Sequence, residues 1–155
     1  MSALSFFEWL TTSPFANAIN GPEWAFPLVE SLHFMGLALS IGTIAIVDLR
    51  LLGLGMRRQT AAQLAADLDP WTWAGLAMML ITGPLMFSAD AVSYHNNPAF
   101  QFKMTCLLAA LLFHFTIHRK VTRSEVSPAV ARLAGVLSLA LWTAVVGGGR
   151  MIAFV

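Results

Sequence analysis

The sequence predicts an all-α integral membrane protein. Its four helices form an up-down-up-down bundle behind an N-terminal interfacial amphipathic segment, with both termini outside. Three observations carry this. The chain has 155 residues, 57% of them hydrophobic and 11% charged, whereas a soluble domain carries about a quarter charged residues. Its apolar residues gather into four runs near the roughly 20-residue length that a spanning helix needs. Cations are lopsided: Arg50, Arg57 and Arg58 follow the first run, and Arg119, Lys120, Arg123 and Arg132 separate the third from the fourth. Cytoplasmic loops retain Lys and Arg, so segments 50–70 and 119–132 are assigned to the cytoplasm and the chain to a bacterial inner membrane.

Residues 1–22 are too short and polar to span. Leu4, Phe7 and Leu10 recur at helical spacing, Ser13-Pro14 reads as an N-cap with proline at the first helical position, and a second turn ends at Gly21-Pro22. This segment lacks a cationic face, so it rests either on lipid or on the bundle. The remaining residues form one transmembrane domain, with spans at about 24–49, 71–91, 100–118 and 133–155. Gly83-Pro84 marks a bend in the second span, and Gly147-Gly148-Gly149 interrupts the fourth. Trp24, Trp71, Trp73 and Tyr94 fall at water boundaries, where amphipathic aromatics belong. Gly36 and Ser40, four apart, offer a close-packing face. The N-terminus has no basic n-region, so the first span itself directs insertion.

A net charge of +1 gives no basis for a nucleic-acid partner; the partner is the lipid bilayer. Cys106 is the single cysteine, which excludes an intrachain disulfide. Phosphate loops and nucleophile elbows are absent, and no catalytic residue is assigned.

Ionisable groups within apolar spans are costly and ask for a partner or a purpose. Two clusters result. Glu30, His33, Asp90, His95, Lys103 and Arg150 gather toward the outer side, Glu30 and His33 sharing a face at i,i+3. They form either a charge-compensated network or an anion site, for haem propionates or a quinone headgroup. Asp48, Arg50, His114 and His118 gather toward the inner side. His114 and His118 stand at i,i+4, a spacing that suits two imidazoles on one metal ion. His33 completes the candidate metal ligands. Met35, Met78, Met79, Met86, Met104 and Met151, with His33 and Cys106, make a soft-ligand set for copper.

The stretches LVESLHFMGLALSIG, VDLRLLGLG, NPAFQFKM and GGGRMIAF resemble a family of uncharacterised bacterial four-helix membrane proteins. More distantly, His33, Lys103 and His114 resemble the layout of HemJ-type protoporphyrinogen oxidases, CopD-like copper proteins and cytochrome b561-type bundles. The first of these implies a haem-binding bundle, with functional positions at His33 and Lys103. The chain departs from it at Glu30 and Arg150 and in its loops.

The leading expectation is a b-type haem protein passing electrons, linked to quinone or another redox partner. His33 is the first axial ligand, His114 or His95 its partner, and Lys103 and Arg150 lie near the propionates, with Glu30 alongside. Helix rise separates His33 from His114 by ~11 Å in depth, against a shared haem. The alternatives are an accessory or scaffold subunit of a larger membrane complex, a homo-oligomer, and a small-ligand or copper-binding permease.

Overall fold

A computed structural model describes residues 3–55 and 58–155. Arg57, one of the orienting cations, and the first two residues of the interfacial segment lie outside the described residues. In chain order the helices are α1 (Ala3–Thr11), α2 (Pro14–Asn20), α3 (Ala25–Leu51), α4 (Ala61–Ala89), α5 (Ala91–Asn96), α6 (Pro98–Phe113), α7 (Arg119–Arg123) and α8 (Pro128–Met151). The π-helical turn His114–His118 fuses α6 to α7, so Pro98–Arg123 is one rod. The described residues contain no strand. The helices α3 and α4, the α6–α7 rod, and α8 with its short 3₁₀ extension are each long and apolar enough to cross a membrane.

Local chemistry sets the helix starts. Ser13 caps α2 and Ser127 caps α8, each followed by proline at the first helical position. Asn97 Oδ1 accepts from the amides of Ala99 and Phe100 at 2.9 and 3.1 Å and opens α6. Thr60 and Gln63 form a capping box, with Thr60 Oγ1 accepting the Gln63 amide at 3.1 Å and Gln63 Oε1 accepting the Thr60 amide at 3.0 Å. This box starts α4 at Ala61, well before the predicted position 71, and shortens the connection read as 50–70. Gly53 and Gly55, at φ +82° and +73°, turn the chain between α3 and α4. The Arg50 Nε–H ties this turn down on the Gln59 carbonyl at 2.7 Å.

One further expectation is corrected. The triple glycine does not interrupt the last span, because α8 continues through Gly147–Gly149. In the second span, α4 is helical throughout with Pro70 and Pro84 inside it, and these lack the amides that the Ala66 and Leu80 carbonyls would otherwise accept.

Close packing depends on small residues. A Cβ on Gly75 would sit 2.5 Å from the Ser40 amide nitrogen and 2.7 Å from the Gly36 carbonyl oxygen, so α3 and α4 meet backbone to backbone. Contacts run in opposite order along these two helices: His33 meets Thr82, Ser40 meets Met79, and Thr43 meets Thr72. Gly135 lets α8 approach the Asp48 carbonyl and Leu51 of α3, and Gly148 lets it approach Phe102 and Lys103 of α6. The core joins α3, α4, α6 and α8 through Ile44, Leu76, Ala110, Trp142 and Val145. Where α4 faces the α6–α7 rod, two stacked aromatic pairs connect them, Phe87–Phe100 with centroids 5.3 Å apart and Trp73–Phe115 at 5.1 Å.

The N-terminal segment docks on the bundle. Ala16 and Ile19 are buried, the Phe7 ring meets Phe87 and His95, and the Asn20 amide donates to the Ala89 carbonyl at 2.9 Å. Leu4, Phe6, Trp9 and Phe15 remain exposed.

Candidate functional site

At one end, α3 delivers His33 to α4. The imidazole is 7% exposed, and its Nδ1 lies 2.8 Å from Thr82 Oγ1. The Thr82 hydroxyl has one proton, which it donates to the Met78 carbonyl at 2.7 Å. His33 therefore donates its Nδ1–H to Thr82, and Nε2 keeps a free lone pair. Ligating histidines are commonly held this way, through a hydrogen bond from the other ring nitrogen.

Lys103 of α6 is the cation within electrostatic reach of His33. Its side chain runs along the backbone of α8: a Cβ on Gly149 would meet Lys103 Cδ, Cε and Nζ at 3.6 Å. The glycines thus make a channel for a lysine stem.

The other outer residues do not join this pair. Arg150 is exposed, with its guanidinium over the Phe154 ring at 5.2 Å. His95 stacks against Phe7 with centroids 4.4 Å apart. Asp90 caps α5 by accepting the Ser93 amide at 3.2 Å. Glu30 lies near Tyr94, whose phenol is held above its ordinary value first by burial and then by the charges of Asp90 and Glu30. Among the described residues the ion pairs are His118–Asp48, Arg119–Asp69 and Arg123–Asp69. The predicted network pairing Lys103 and Arg150 with Glu30 does not form.

At the opposite end, Asp48 of α3 is 0% exposed, His118 2% and His114 6%. His118 Nε2 lies 2.6 Å from Asp48 Oδ1. Ser138 of α8 lies beside the same carboxylate. Asp48 Oδ2, Ser138 Oγ and His114 Nδ1 are buried without a hydrogen bond. The His114 and His118 rings stack with centroids 5.1 Å apart, an arrangement that the π turn brings about. Beside them, α7 places Arg119 and Arg123 2.7 and 3.0 Å from Asp69 Oδ2 of α4. Between α3, α4 and the rod lies a cavity of about 20 Å³, lined by His114, His118, Thr72, Asp69, Arg119 and Arg123 among others.

His33 and His114 belong to different ends. Asp48 stands fifteen residues beyond His33 on α3, roughly 22 Å of helix. His118 meets Asp48, and His114 precedes His118 by one turn, which leaves roughly 17 Å along the helix axes between His33 and His114. That separation is far larger than two axial ligands of one haem would have, and His118 commits its Nε2 to Asp48. No three His, Cys, Asp or Glu among the described residues gather as a metal site. The methionines are dispersed: Met79 is buried against Ser40, while Met35, Met104 and Met151 are exposed.

Thr82, Ser138 and Asp69 are the site residues that sequence reading missed. Asp69 had a signal in the Thr60-x-x-Gln63 capping box, which places it on a helix. Thr82 and Ser138 had none, because hydroxyls are common in membrane helices.

No curated protein and no solved structure matches the chain. A family model described as a family of unknown function, DUF6644, matches residues 6–155. With nearly its whole length covered, the chain belongs to the DUF6644 family.

Proposed function

We propose that the chain threads four helices up-down-up-down through a bacterial inner membrane, with the Arg-rich connections cytoplasmic and both termini outside. Large apolar side chains exposed on all four long helices support insertion, among them Leu28, Phe34, Leu80, Ile81, Leu108, Leu112, Val136 and Val146.

Within that frame it is a small redox protein that holds a b-type haem at the His33 end and exchanges electrons with quinone or a protein partner. The relay from His33 Nδ1–H through Thr82 to the Met78 carbonyl carries this reading, because it fixes the tautomer in which Nε2 is a ligand. His33 would hold the iron as the single histidine ligand, and Lys103 would meet a propionate. Haem, when bound, supplies one-electron exchange. The protein orients the imidazole and offers the cation.

A second reading has its own observation. His33–Thr82 and Thr43–Thr72 are both hydrogen bonds between α3 and α4, as a scaffold subunit or homo-oligomer needs to fix helix register. The visible spectrum of the purified chain, with pyridine-haemochrome analysis, separates the two. A Soret band that is lost in His33→Ala and displaced in Thr82→Val is the expected result. A colourless protein from haem-sufficient cells would leave the scaffold reading.

A further inference from the structure

We propose that Asp48, His118 and His114 form a proton-binding relay inside the bundle, filled from the Arg-rich end. It stands apart from the His33 end and does not depend on haem there.

Geometry carries the proposal. Asp48 Oδ1 and His118 Nε2, 2.6 Å apart, share one proton. With His118 otherwise neutral, that pair holds one net negative charge in a water-poor interior. One further proton, accepted on the free nitrogen of His118, converts it to imidazolium and carboxylate and cancels the charge. An uncompensated buried charge is far costlier than a paired one, so uptake is favoured.

Neighbouring groups fit this use. The stacked ring of His114 presents a buried Nδ1 that no protein group satisfies. It lines the 20 Å³ cavity together with His118, and a single water needs about 10–15 Å³. A water held there would link the imidazoles to the Asp69, Arg119 and Arg123 group, whose side chains stand 26–60% exposed. The charged or titratable groups lining the cavity are His114 and His118 of the π turn, Asp69 of α4, and Arg119 and Arg123 of α7; α8 offers Asp48 only the Ser138 hydroxyl. The π turn points the same way. It departs from α-helical hydrogen bonding just where the two histidines sit, and such turns concentrate at functional positions.

A network that merely holds helices in register would show the same contacts but would not exchange protons. The test uses the full chain in lipid nanodiscs, ¹⁵N-labelled at histidine, with imidazole shifts followed by NMR from strongly acidic to alkaline pH. His114→Gln and His118→Gln assign the signals. Both rings are expected to change protonation as a coupled pair. Ser138→Ala removes only a hydroxyl beside the carboxylate, and it should change the pH response of the coupled His114–His118 signals relative to the native chain. Asp48→Asn, where it folds, should abolish the coupling. If His114 and His118 keep one protonation state wherever the chain stays folded, the proposal is overturned. A Ser138→Ala titration identical to the native one would overturn it too.

Discussion

Gly75→Ala tests the packing on which the His33 end depends. The added Cβ would stand 2.5 Å from the Ser40 amide nitrogen, 2.7 Å from the Gly36 carbonyl oxygen and 2.9 Å from Ser40 Cβ. Two of these three atoms are backbone and cannot rotate away, so the helices themselves must part. Restoring ordinary contact requires about 1 Å of separation between α3 and α4. That movement stretches the His33–Thr82 and Thr43–Thr72 hydrogen bonds, now 2.8 and 2.7 Å, to the limit of bonding. Interhelical hydrogen bonds in membranes contribute about 0.6 kcal/mol each and up to about 1.7. With the packing lost alongside them, a destabilisation of about 2–4 kcal/mol is expected. Gly42→Ala on the same α3 is the matched control, because nothing lies within 4 Å of its Cβ. It should be neutral or stabilising by up to about 1 kcal/mol through helix propensity. Steric-trap unfolding in bicelles measures both. A Gly75→Ala protein as stable as the native chain, or less perturbed than Gly42→Ala, would refute the backbone-contact reasoning.

Two other outcomes follow from the charged groups. Asp48→Ala leaves His118 buried without its partner and should cost about 3–5 kcal/mol, whereas Arg123→Ala, at a side chain 60% exposed, should stay within about 1 kcal/mol. The same unfolding assay compares them, and equal losses would contradict the burial of the Asp48 pair. Tyr94 is the chain's one tyrosine, so alkaline difference absorbance reads a single phenol. Its midpoint should lie above the ordinary value of about 10 and fall in Glu30→Gln. A phenol raised on folding contributes stability below its unfolded value and loses it as pH climbs through the folded one, so alkaline unfolding should track this titration.

Much of the fold was legible because a helix able to cross a membrane meets a simple demand. Spans must be long and apolar, and Ala25–Leu51 and Pro98–Arg123 are so by composition alone. The start of α4 was harder: Asp67, Asp69 and Pro70 dilute its apolar signal, and the Thr60-x-x-Gln63 box was the surviving cue. Glycine statistics drawn from soluble helices misjudged Gly147–Gly149. In a packed bundle, neighbouring helices satisfy what an isolated one would lose. His33, Lys103, Asp48, His114 and His118 stood out as polar groups in apolar runs. The inner grouping of Asp48, His114 and His118 was legible as well; the outer grouping was not, because it depends on how far each helix slides against the next. Arg150 and His95 left the outer cluster for that reason, each meeting an aromatic ring instead.

The π turn also governs what lies beyond it. Relative to an α-helix, such a turn accommodates one additional residue, and one residue corresponds to about 100° of rotation around the axis. Removing a single amino acid between Phe113 and Arg119 would rewind the rod as a plain α-helix. Because the turn absorbs that residue, everything downstream would keep its angle and both arginines would stay on the Asp69 carboxylate, whereas rewinding the same five residues without a deletion would swing them away by about 100°. The five residues His114–His118 therefore act as an angular setting for the basic end of the rod. Kinship within DUF6644 can be read there as a question of length: a homologue one residue shorter at this turn can run straight through as an α-helix and keep the same anchor for its basic end.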